Sequence, residues 1–334
     1  MSFLAYILAF LKYVIYGTSI FFTGKLTAST DVLDVLALRF LMSFVVMWLF
    51  KVTRVIKVEV GVKDFFVKNQ RTPFIKSLFF AALFEPVLYM LFETAGIALT
   101  TSITTAVILS LSPIVSCVAE MVILKEKNTL LQKIFLAIGI VGVIYIAANT
   151  STEDGNHSIL GILFLLAAIV SGALFAVFSR KSSKAFAPME ITYVSCMLGA
   201  VIFNSINAVR HLVRGDILSY FDPYFNLENL IGFAFLAILS TVIATGMNNY
   251  ALSKMQVSTM AAFSGVSTIV TVVVGVIFGG EELYYFHYIG LSLILLRMVG
   301  VSAISIRNDR KNKILKIKVK ENRQESQKEY VKNN

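Results

Sequence analysis

Long apolar runs constrain this chain more than any other feature. The hydrocarbon core of a bilayer is spanned by about 20 apolar residues in a helix. Ten runs meet that length: about 3–24, 32–50, 74–97, 102–124, 129–148, 159–180, 189–210, 229–252, 256–278 and 285–305. Inside hydrocarbon every backbone N–H and C=O must be satisfied within its own segment, so each run reads as a helix. Composition agrees: 57% of the 334 residues are apolar and only 15% charged, against about 25% charged in soluble domains. The expected fold is an all-α integral membrane protein of ten transmembrane helices.

Basic residues set the orientation. With the N-terminus inside, the cytoplasmic segments carry Lys51, Arg54, Lys57, Lys63, Lys68, Arg71, Lys125, Lys127, Arg180, Lys181, Lys184, Lys254 and ten more in the tail. The outer segments carry only Lys25, Arg210 and Arg214, beside the acids Glu153, Asp154, Asp216, Asp222, Glu281 and Glu282. This bias places both termini in the cytoplasm and the chain in the plasma membrane as a multi-pass protein. The net charge of +10 therefore answers to the bilayer surface, and nucleic acid is not expected as a partner. Cys117 and Cys196 lie in apolar runs with no metal or disulfide spacing, and no cofactor or metal motif is present.

The two halves repeat. Adding 155 to a position in the first half gives its counterpart in the second: Gly17 and Gly172, Thr104 and Thr259, Ala106 and Ala261, Ser112 and Ser267, Glu126 and Glu281. Near the end the register drifts by about three residues, where Val141-Gly142-Val143 matches Val299-Gly300-Val301. Five spans per half is an odd number, so the second half enters from the opposite side. The expected organisation is two inverted five-helix repeats, 1–150 and 151–306, followed by a basic cytoplasmic tail over 307–334. Inverted repeats suit alternating access around a midplane site.

Ionisable residues at membrane depth are costly and face a protein or water-filled interior. Glu85 and Lys12 lie midway along spans 3 and 1 and share a depth, so they are candidates to pair. Glu93 and Arg39 share a second depth, nearer the outside. Arg297 and Glu120 form a third candidate pair, expected to be structural. Pro86, directly after Glu85, removes a helical hydrogen bond at the carbonyl of Ala82 and bends span 3. Eight residues separate the two acids of that span, which sets them about 80° apart around a regular helix, with Tyr89 between. The repeat carries Glu85 onto Ser240, Met90 onto Thr245, Glu93 onto Asn248 and Thr94 onto Asn249. Span 8 thus has a polar stripe of Ser240, Thr241, Thr245, Asn248 and Asn249, either a substrate wall or helix–helix glue. Tyr16, Phe22, Phe175 and Phe178 are aromatic candidates for the same path. His157, His211 and His287 form no metal pattern.

The ten-span, two-half pattern resembles the drug/metabolite transporter superfamily, EamA type. The resemblance rests on SLSPIVSCVAEMVILKEK, with Pro113 and Glu126, and on FSGVSTIVTVVVGVIFGGEEL, with Glu281. It also rests on the lead-ins GIALTTSITTAV and ALSKMQVSTMAAF, on Leu38-Arg39-Phe40, and on Gly139-Ile140-Val141-Gly142-Val143. Thr268 stands where that family often has proline. The resemblance implies a path surrounded by spans 1–4 and 6–9, with the fifth and tenth spans outside it. It also implies a secondary transporter of a small solute such as an amino acid, metabolite or drug, with a proton as one available coupling ion. No GxxxxGK[ST] loop is present for ATP. The alternatives are a membrane receptor or scaffold, or an intramembrane enzyme; no HExxH or Gly-x-Ser-x-Gly pattern supports the last.

Overall fold

A computed structural model describes residues 3–59, 72–125, 129–153, 159–280 and 283–307, apart from 298, 302, 305 and 306. Lys63, Lys68, Arg71, Glu126, Lys127, Asp154, His157, Glu281, Glu282 and the tail beyond 307 lie outside the described residues. The described residues are helical throughout their apolar stretches. Eight helices are long and apolar enough to cross a bilayer: Leu4–Ser29, Val32–Val52, Phe74–Ala98, Ser102–Leu124, Ile159–Ser182, Pro188–Arg214, Leu227–Lys254 and Val257–Gly279. These are spans 1–4 and 6–9. Two shorter apolar helices, Leu130–Gly142 and Tyr285–Val301, stand where the fifth and tenth spans are expected.

The inversion is visible in how the repeat mates meet. Spans 2 and 7 pack along each other. At one end of the bundle the start of span 2 meets the end of span 7. Asp34 holds Arg210 at 2.6 Å and His211 at 2.8 Å, and Asp31 holds Arg210 at 2.8 Å and Arg214 at 3.1 Å. At the other end Glu190, in the first turn of span 7, accepts the backbone N–H of Glu59, beyond the end of span 2. These mates therefore run antiparallel. Spans 4 and 9 do the same: Glu120, near the end of span 4, accepts backbone N–H groups at the start of span 9. Contacts between unlike spans come in matched pairs as well. Span 3 packs on span 6 and span 8 on span 1; span 1 packs on span 9 and span 6 on span 4.

Local winding repeats too. Span 3 is interrupted by a kink within Leu83–Leu88, and span 8 widens into i→i+5 turns over Phe235–Ala244, at corresponding places. In span 3 the cause is Pro86: the residue before a proline is driven out of the α region, and Glu85 has φ −138° and ψ 117°. In span 8, which has no proline, a neighbour takes up a freed carbonyl: Ser43 Oγ donates to Ala237 O at 3.2 Å. Span 4 breaks at Ser110–Leu111 ahead of Pro113, and span 9 breaks at Phe263. Span 9 thus interrupts at the matching place although Thr268 replaces the proline.

Exposed apolar side chains such as Phe10, Trp48, Val122 and Val201 clothe the outside, as a lipid-facing surface requires. Close packing inside depends on small residues. A Cβ on Gly17 would stand 2.6 Å from the Ser267 carbonyl and 2.8 Å from Val270 Cβ, whereas one on Gly24 would make an ordinary 3.6 Å contact with Ile97. Gly17→Ala is therefore expected to push spans 1 and 9 apart and cost about 1–3 kcal/mol, while Gly24→Ala stays near neutral. Thermal unfolding of the two purified variants in detergent checks the difference.

Candidate functional site

Between spans 1, 3, 4, 6, 8 and 9 lies a cavity of about 100 Å³. Seven of the candidates singled out from sequence line it: Lys12, Tyr16, Glu85, Tyr89, Glu93, Phe175 and Asn248. Span 3 delivers three of them because its kink lies between Ala82 and Tyr89. Glu85 sits at the break itself, and Tyr89 and Glu93 follow one turn apart. Gly172 of span 6 leaves room for the Tyr89 ring, since a Cβ there would lie 3.0 Å from it.

The polar contacts are few and directional. Tyr16 Oη donates to Glu85 Oε1 at 3.2 Å and lies 3.2 Å from Thr245 Oγ1. One hydroxyl thereby ties spans 1, 3 and 8 together. Tyr89 Oη donates to Glu93 Oε1 at 2.6 Å. The Lys12 ammonium lies over the Tyr13 ring at 3.7 Å and the Tyr16 ring at 3.9 Å, a cation–π arrangement. Among the described residues, each of the two carboxylates thus has one hydroxyl donor.

None of the three candidate pairs that share a depth makes an ion pair. Lys12 and Glu85 line one cavity, but the aromatic faces hold the ammonium and Tyr16 stands between the charges as donor to Glu85. Arg39 does not pair with Glu93. Its Nε donates to Thr241 Oγ1 at 2.8 Å and its Nη2 to Ser240 Oγ at 3.1 Å. The wide turns of span 8 bring those hydroxyls to the guanidinium, with Thr241 donating back to Leu236 O at 2.8 Å. Arg297 does not meet Glu120. Its Nη1 donates to the Ser110 carbonyl exposed by the break in span 4, and Glu120 takes Arg180 at 3.0 Å. Shared depth was readable from the sequence; the direction each side chain faces was not.

The polar stripe of span 8 divides. Asn248 lines the cavity. Ser240 and Thr241 hold Arg39, and Thr245 stands behind Tyr16. Asn249 is glue: it accepts from Ser179 at 2.7 Å and donates to Thr192 at 3.0 Å, joining spans 6, 7 and 8. Phe175 lines the cavity, whereas Phe178 stacks on Phe84 and Phe22 on Phe235. Sequence reasoning did not name as candidates for the path Tyr13 or the hydroxyl-bearing lining of spans 4 and 9: Ser112, Ser116, Ser264, Ser267 and Thr268. A signal was present, because Ser112 and Ser267 are repeat mates and both reach the cavity. Among the described residues no group of three or more His, Cys, Asp and Glu is placed to hold a metal. His211 instead bridges Asp34 and Asp216, each at 2.8 Å.

These contacts separate glue from lining. Asn249→Leu should strand Ser179 and Thr192 and lower stability by about 1–2 kcal/mol, while Asn248→Leu should change the melting temperature little. Parallel melting curves of the two variants test this.

Comparison with known proteins accords with this geometry. The pattern of the EamA-like transporter family matches residues 3–148 and again 159–303. An uncharacterized transporter of Bacillus subtilis, YcxC, is 30% identical over 296 residues, covering 89% of this chain and 92% of that protein. An uncharacterized transporter of Archaeoglobus fulgidus is 25% identical over 222 residues, covering 66% of this chain and 74% of its own. A solved crystal structure superposes with a TM-score of 0.64 at 14% identity, over 91% of this chain and 98% of the other, a likeness of fold. With both halves matched, the chain is a multi-pass membrane protein that belongs to the EamA-like transporter family.

Proposed function

We propose that this protein is a secondary transporter that carries a small metabolite, such as an amino acid, a drug or a similar solute, across the plasma membrane by alternating access. The observation that carries the reading is the cavity between two antiparallel, symmetry-related sets of spans, lined by Lys12, Glu85, Glu93 and Asn248. Inverted repeats give two equivalent packings of one chain, and rocking between them exposes the same site to either side. The halves are 1–150 and 151–306, and the basic tail, 307–334, lies with both termini in the cytoplasm. A receptor or enzyme reading has no comparable observation behind it.

Within the cavity Tyr16 is the natural relay. It touches Glu85 on span 3 and Thr245 on span 8, so a change at Glu85 is felt by both halves. A proton or a substrate amine arriving at Glu85 would compete with the Tyr16 hydroxyl and loosen the link. Lys12, held on tyrosine rings and not in an ion pair, stays available to a substrate carboxylate. Glu93 and Asn248 extend the lining on spans 3 and 8.

Purified protein in liposomes should move small metabolites down an imposed solute or proton gradient; the absence of flux for any metabolite class would reject the reading. Glu85→Gln should fold, reach the membrane and lose the pH dependence of flux. Tyr16→Phe should keep binding but slow turnover, by roughly tenfold if one hydrogen bond of about 1–1.5 kcal/mol is lost from the step. Flux measured across a pH series for both variants tests the relay.

A further inference from the structure

The floor of the cavity holds a joint that the transport reading does not use. Glu120 is fully buried near the end of span 4. Its Oε1 lies 3.0 Å from Arg180 Nη1 and accepts the Val257 N–H at 2.8 Å, and its Oε2 accepts the Ser258 N–H at 3.1 Å. One carboxylate therefore fastens the end of span 4 to the end of span 6 and to the start of span 9. The first N–H groups of a helix have no partner within it, so the bond satisfies donors on span 9 as well as the Arg180 charge. Hydrogen bonds with an ionised partner are about twice as strong as neutral ones.

The joint lies directly against the cavity. Ser116, one turn before Glu120, lines it; so do Ala176, one turn before Arg180, and Val257 itself. An apolar cluster that includes Phe175, Leu252, Val257 and Met260 fills the same end of the bundle. The repeat assigns Gly275 to the position of Glu120. Glycine has no side chain, so position 275 itself supplies no such carboxylate. The close approach of span 9 at Gly17 is likewise not reproduced at Gly172, which faces Tyr89 instead.

We propose that Glu120, Arg180 and the amino end of span 9 form a latch that closes the cavity toward the cytoplasm and must release in every transport cycle. The proposal rests on the transport reading for its purpose, but its test does not require flux. A single cysteine reporter, Ala176→Cys, is placed in a background lacking Cys117 and Cys196. Its reaction with an impermeant thiol reagent is followed in inside-out vesicles, where the cytoplasmic face is accessible. With the latch intact the reaction should be slow. Glu120→Gln and Arg180→Gln should each speed it by roughly tenfold or more, the effect of losing one charge-assisted hydrogen bond. An unchanged rate in both variants, with or without a lower melting temperature, would show an ordinary structural ion pair and overturn the proposal. If Glu120→Gln fails to accumulate, Arg180→Gln decides, because it leaves the bonds to Val257 and Ser258 in place. If neither accumulates, the joint is needed for folding and the proposal falls. Faster labelling in variants of a protein that shows no flux would keep the latch and reject the transport reading alone.

Discussion

Polar groups inside hydrocarbon must find partners within the bundle, and where those partners stand decides how the helices meet. Arg39 makes the point. Buried on span 2, it takes two hydroxyls from span 8, and Ser43, one turn along, donates to the Ala237 carbonyl of the same wound-out segment. A proline-free span can sustain such a segment because a neighbour answers the groups it frees. Arg297 plays a similar part for span 4, reaching the Ser110 carbonyl at the break. Without those answers the wide turns would leave backbone groups facing hydrocarbon, at several kcal/mol each. The cavity lies beside these irregular segments: Glu85, at the kink of span 3, and Ser112, just past the break in span 4, both line it.

The architecture was legible from the sequence because it depends on length and count. Apolar runs of bilayer length set the helices, the 155-residue register set the repeat, and an odd number of spans set the inversion. The acids on span 3 were legible as cavity residues for the same reason: hydrocarbon excludes them from the lipid face. Side-chain partners were not. A pairing such as Lys12 with Glu85 was inferred from depth, yet rotation about the helix axis decides contact, and a wide turn changes rotation in a way hydropathy does not record. Arg39 found hydroxyls because the wide turns of span 8 presented them, and Glu120 found Arg180 at the end of span 6 and two N–H groups at the start of span 9. Small residues were the other gap. Ser112 and Ser267 looked like ordinary span residues, and only their equivalence in the repeat hinted that both face the centre.

The two halves share a plan but not a composition. Span 3 brings Glu85 and Glu93 to the cavity, while span 8 brings Asn248 and, behind Tyr16, Thr245. The acidic wall therefore belongs to one repeat and the amide wall to the other. A duplicated chain that kept acids on both sides would confine four carboxylates in a small space, with mutual repulsion and desolvation acting together. Neutral groups on one side avoid that strain and leave the cavity with two chemically different walls.

The irregular segments of spans 3 and 8 also differ in how they can change. An i→i+5 turn holds one residue more than a regular turn, so the helix beyond it is rotated by about 100° from where uninterrupted winding would leave it. Span 8 carries such turns in Phe235–Ala244 without a proline, so regular winding there stays open to its backbone and would turn Asn248, just beyond, away from its present direction. Span 3 has no such freedom, because Pro86 has no N–H to return to the helix. One wall of the cavity is thus fixed by its own sequence, and the other is held by its neighbours.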